Sequence, residues 1–156
     1  MPHHRRYVIA LTLLLVVRSI GAIAQAKPCA PPHTVSDVLF HPGDVWTYKT
    51  RPEDSGSTLT ILKVESLEKV GVVVHVRVDK LHMHTADGSD INSIGHMPLA
   101  RQALAQSVIQ KKNSGPVPDF ADGYNRWAQA CGGVYSISVS EAVAADQEVL
   151  LHGSQH

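Results

Sequence analysis

The chain has 156 residues, with 14 Lys and Arg balanced by 14 Asp and Glu, ten His and only two Cys. That length suits one domain with a substantial buried core. The charge balance excludes the basic stripe that nucleic-acid binding needs, and two Cys are too few for a cysteine-built metal scaffold.

The first 26 residues read as a secretory signal peptide. His3, His4, Arg5 and Arg6 open it, Tyr7 to Val17 is apolar except for Thr12, and Ala24-Gln25-Ala26 is a small-x-small cleavage pattern. The apolar run is too short to span a bilayer. Cleavage after Ala26 removes Arg5, Arg6 and Arg18, leaving eleven basic residues against 14 acidic ones, a net charge of −3. The expected location is therefore periplasmic or extracellular, without a stable membrane anchor, and the acidic excess disfavours anionic lipid surfaces. In that oxidising setting Cys29 and Cys131 are expected to pair, because an even count favours a disulfide.

Residues 27–43 form a Pro-rich extended leader. A single domain is expected over 44–145, and 146–156 reads as a weakly structured tail. Asp44 to Arg51 alternates like a strand, with Trp46 and Tyr48 on one side. Residues 51–57 are loop-like. Thr58 to Glu65 reads as a second strand, whose apolar phase breaks between Ile61 and Leu62 and so implies a bulge or burial on both faces. After a turn at 68–71, Val72, Val74, Val76 and Val78 share one face of a third strand that extends through Met83, while Val73, His75 and Arg77 share the other. Asp87-Gly88 marks a turn and Asp90 to Ile94 a short return strand.

Pro98 is read as the first residue of a helix continuing to Lys112, on the four-residue recurrence of Ala100, Leu104 and Val108. A second helix follows Asp119, an expected N-cap, with Phe120, Tyr124, Trp127, Ala128 and Cys131 on one face. Tyr135, Ile137 and Val139 then alternate with serines, which predicts a final strand. The expected class is α+β: an antiparallel meander of four or five strands, two helices packed on one face, and a C-terminal strand returning to the sheet.

No catalytic set emerges. There is no G-x-S-x-G elbow, no H-E-x-x-H and no glycine-rich phosphate loop. Asp87, Asp90 and Asn92 lack the spacing of a calcium loop. The aromatics Trp46, Tyr48, Tyr124 and Trp127 are expected to fill the core, and Phe120, Tyr124 and Trp127 to be buried against Val72, Val74 and Val76 or the equivalent sheet face. The leading expectation is a small exported non-enzymatic binding domain, either a protein inhibitor or immunity-like factor or a small-ligand binder, with no cofactor. The alternative is a metal-binding or metal-dependent protein using a cluster of His82, His84 and His96. His82 and His84 stand two apart on one strand face, in phase with Lys80.

Overall fold

A computed structural model describes residues 29–153. The expected signal peptide and its cleavage point lie outside the described residues. Six strands and three helices follow in chain order: β1 (His33–Thr34), β2 (Asp44–Tyr48), β3 (Thr58–Leu67), β4 (Gly71–His84), β5 (Asp90–Ala100), α1 (Arg101–Ser107), β6 (Val108–Ser114), α2 (Ala121–Gln129) and α3 (Val139–His152). The strands form one antiparallel sheet in the order β5-β4-β3-β2-β6, and β1 pairs with β3 beside β2. The fold is α+β with a meander sheet.

The meander follows from short glycine turns between β-branched strands. Gly71 and Gly88 both adopt a positive φ of 83°, which glycine reaches without a Cβ clash. The register of β3 against β4 shifts between Ile61 and Lys63, so Leu59, Ile61 and Val64 all reach the same core despite the broken phase. A second correction occurs in β4. Val74, Val76 and Val78 enter the core, Lys80 takes a positive φ of 59°, and Leu81 and Met83 then enter it from odd positions.

That core holds Phe40, Trp46 and Tyr48, the β4 and β5 apolar side chains, Leu104 of α1, and Val139, Ala142 and Val143 of α3. Helices α1 and α3 therefore cover the Val74–Val76 face. Helix α2 lies on the opposite face, with its Tyr124 hydroxyl on Glu65 and its aromatic rings against His75. The two expected helices thus sit on different faces, and Tyr124 and Trp127 pack on His75, and Phe120 on His96, rather than on Val72, Val74 and Val76. The three aromatics are half-buried.

Three further expectations change. The helix expected over Pro98–Lys112 is only Arg101–Ser107. Residues 108–114 are instead β6, which pairs with β2 and is the strand that returns to the sheet. Pro98 lies within β5, a position open to proline because β5 is a sheet edge and needs no N–H there. The expected strand at 135–139 contributes one parallel bridge, Leu99 to Tyr135, after which α3 begins. The expected weak tail from 146 is helical through His152.

Cys29 and Cys131 are bonded, with Cα atoms 5.5 Å apart. The bond ties the leader to the end of α2. In the chain-entropy account, a loop of this length contributes about 4–5 kcal/mol. Among the described residues no helix is long and apolar enough to cross a membrane.

Candidate functional site

The face under α2 breaks the usual rule for a buried sheet surface. Strand alternation turns Lys63 and Glu65 of β3, His75 of β4 and His96 of β5 to this side. Glu65 is 1 % exposed and His75 is fully buried. Burying a carboxylate and an imidazole is costly unless their polar atoms find partners.

Those partners form a chain. Tyr124 donates its hydroxyl hydrogen to Glu65, with its oxygen 2.9 and 3.0 Å from the two carboxylate oxygens. Lys63 Nζ contacts Glu65 Oε1 and donates to the Tyr124 oxygen at 3.2 Å. His75 Nε2 lies 3.2 Å from Glu65 Oε2, close enough for attraction although the geometry is not that of a hydrogen bond. On its other side, His75 Nδ1 is 2.8 Å from His96 Nε2. The two imidazole planes are 18° from parallel and their centroids 5.0 Å apart. With the nitrogens that close, the rings lie end to end, so an in-plane N–H can point at an in-plane lone pair.

The proton positions follow. A carboxylate accepts only, so the proximity of Glu65 favours the neutral His75 tautomer with its hydrogen on Nε2. In that tautomer His75 Nδ1 is a lone pair and His96 Nε2–H donates to it. The remaining nitrogen of His96, Nδ1, is an acceptor with no partner among the described residues.

Electrostatics agree with neutral rings. Burial first, and then the neighbouring His96, push the His75 imidazole down to about 4, against the opposing pull of Glu65. Burial also lowers His96, again opposed by Glu65. Burial lifts the Tyr124 phenol, with Glu65 adding to the lift and Lys63 opposing it. For Lys63, burial works against the ammonium, but its bonds to Glu65 and Tyr124 prevail and raise it.

His96 opens this buried chain to a cleft of about 810 Å³ between α2 and β5. Phe120, Trp127 and Tyr135 supply its aromatic surface, and Asp119, Asp122 and Asp146 its carboxylates. Phe120 lies nearly parallel to His96, with centroids 6.4 Å apart. Trp127 Nε1 donates to the Gly133 carbonyl at 2.9 Å, which fixes the indole. Gly123 makes the close approach of α2 possible, since a Cβ there would come within 2.7 Å of His96 Cβ. At the far wall Tyr135 donates to Asp146 Oδ1 at 2.5 Å. Burial raises the Asp146 carboxyl despite that bond, and burial together with Asp146 raises the Tyr135 phenol. A second, smaller cleft of about 550 Å³ surrounds the disulfide, between Pro31, Pro32, Val70 and the edge of Trp127.

The histidine trio of the metal-binding alternative is not assembled. His82 and His84 are solvent-facing, with side chains 64 % and 61 % exposed. The His82 ring stands 3.9 Å from Asp54, and His84 Nδ1 is 2.7 Å from Asp90. His96 instead pairs with His75. Among the described residues no group of three or more His, Cys, Asp or Glu is arranged to hold a metal. Asp87 serves its own turn, accepting from Ser89 N at 3.1 Å. Trp46 and Tyr48 are core residues, whereas Phe120 and Trp127 line the cleft and Tyr124 closes over the buried chain.

Glu65, His75, Tyr135 and Asp146 were not legible as a site in the sequence. The available signal was a charge and an imidazole at alternate positions of otherwise apolar strands. No protein-family model matches this chain, and no curated protein or solved structure matches it.

Proposed function

We propose that this is an exported, non-enzymatic binding domain that holds a small ligand in the cleft between α2 and β5. The observation that supports this most is the cleft itself: aromatic walls, a few convergent polar groups, and an unpartnered His96 nitrogen reached through a buried polar chain. A small ligand suits this concavity better than a protein surface would, because protein interfaces of ordinary size are broad and comparatively flat. Export is supported by the signal-like composition of residues 1–26 and fits the Cys29–Cys131 bond.

Native mass spectrometry on protein recovered from the exported fraction tests both parts. The chain is expected to begin at Lys27 with no free thiol, and to carry or accept a small molecule that Trp127→Ala no longer retains. A chain that keeps residues 1–26 in the cytoplasm would overturn export. Equal retention by Trp127→Ala and wild type would remove the cleft as the ligand site.

A further inference from the structure

We propose that the ligand is an organic cation, an amine or amidine on a small apolar body, whose N–H group donates to His96 Nδ1 and whose charge is met by Asp146 with Asp119 and Asp122. The proposal rests on the reading of the cleft as a ligand site and names what that site selects.

Three observations converge on it. The first is the orientation of the buried chain. Glu65 favours the His75 tautomer with its hydrogen on Nε2; in that tautomer His96 Nε2–H donates to His75 Nδ1, and His96, which lines the cleft, keeps a lone pair on Nδ1. A carboxylate or phosphate placed there would meet that lone pair and gain no bond, whereas a donor would complete the chain.

The second is a contrast among carboxylates. The buried ones each hold a basic side chain: Asp44 holds Lys111 at 2.7 Å, Asp54 holds Arg51 at 2.6 Å, and Glu65 holds Lys63. Asp146 is pushed upward by burial, and its side-chain partner is only the Tyr135 hydroxyl. No Lys, Arg or His comes within ion-pair distance of Asp146, Asp119 or Asp122 among the described residues. Arg126, the single Lys or Arg lining the cleft, pairs with none of them. One Asp119 oxygen accepts from Ala121 N at 3.0 Å just before α2, and the other has no partner among the described residues. The lining therefore carries three carboxylates against one guanidinium.

The third is the character of the walls. Phe120 and Trp127 line the cleft, and aromatic rings attract cations through their quadrupoles. Aromatic rings, carboxylates and a neutral acceptor together favour a positively charged donor over a neutral or anionic ligand.

Benzamidine, benzamide and benzoate share a ring and differ in charge, so they serve as probes. They are titrated at neutral pH into the full chain, expressed for export and oxidised, with the Trp127 indole and His96 ring signals followed by NMR. Benzamidine is expected to shift both signals and to bind at least tenfold more tightly than benzoate. Asp146→Asn is expected to weaken benzamidine severalfold, and Asp119→Asn to weaken it less, which supplies a second variant should the first be poorly folded. Nitrogen-detected spectra of the free protein are expected to place the His96 proton on Nε2. A proton on His96 Nδ1, or benzoate or benzamide binding as tightly as benzamidine, would overturn the cation assignment and leave the cleft reading standing. Silence of both signals with all three probes would overturn the cleft reading and the assignment together.

Discussion

Val74 and Val76 face an apolar layer closed by α1 and α3, while His75, between them in the same strand, faces Glu65, His96 and α2. The first face is sealed by side chains that need nothing but contact. The second is sealed by side chains that must satisfy one another, under a helix with no fully buried residue of its own. Adjacent residues of β4 thus belong to a stability layer and a polar layer only a strand thickness apart. The polar layer is the one that opens to a cleft. Such a layer contributes little net stability, since desolvation offsets most of the attraction.

The sharpest way to break this contrast is to damage the apolar face. Leu99 is fully buried beside Leu104 and Val139, and Leu99→Ala is expected to cost about 2–5 kcal/mol through lost transfer energy and the cavity left behind. Urea midpoints measure it. A loss under about 1 kcal/mol would mean that this face is not the main core.

The polar face should reveal itself through pH. An unfolded imidazole titrates near 6.5, and His75 in the fold near 4. As pH falls through 6.5 the unfolded chain takes up the proton first. Stability is then fully present above about pH 6.5, declines between there and about pH 4, and is flat in this term below. The total is about 3 kcal/mol. The lowered His96 acts in the same direction. Denaturation midpoints from pH 4 to 7.5 are expected to show the slope, and His75→Gln to remove most of it. An unchanged slope in that variant would place the titration elsewhere.

Smaller effects separate the cleft from the core. Trp127 is half-buried and stands nearly perpendicular to His75, with ring centroids 4.8 Å apart. Trp127→Ala is expected to cost about 1–2 kcal/mol, well short of the range for a wholly buried tryptophan. A loss near 4 kcal/mol by calorimetry would return Trp127 to the core. Smallest of all is the double change His82→Ala with His84→Ala. The bonds that anchor this stretch to Asp54 and Gln147 come from the backbone and survive the substitution. The change is expected to stay within about 1 kcal/mol, as for other exposed side chains. A larger thermal shift would give these histidines a structural part they are not shown to play.

Alternation and composition determined much of this protein. The period-two valines of β4, the break in β3 and the glycine turns were legible because each reflects a local rule: side chains alternate across a pleat, and chain reversal needs particular φ values. The Cys29–Cys131 bond was legible by parity. The capping box Ser138-Val-Ser-Glu141 was also present in the sequence, and in the structure it starts α3: Glu141 accepts from Ser138 N at 2.9 Å and Ser138 Oγ from Glu141 N at 3.3 Å. The alternation of Tyr135, Ile137 and Val139 obscured it. Tertiary structure alone decided residues 108–114. Their spacing continues a helical stripe, but the free edge of β2 offers backbone partners, and a ladder of hydrogen bonds there outweighs a weak local preference. It also decided which side of the sheet each helix covers. No local rule carries that choice, because both faces of β4 are buried and only the packing of α2 over His75 distinguishes them. The site depends on the same choice: Glu65, His75 and His96 come from three strands, and they meet only because the register of the sheet and the closeness of α2 at Gly123 bring them under one helix.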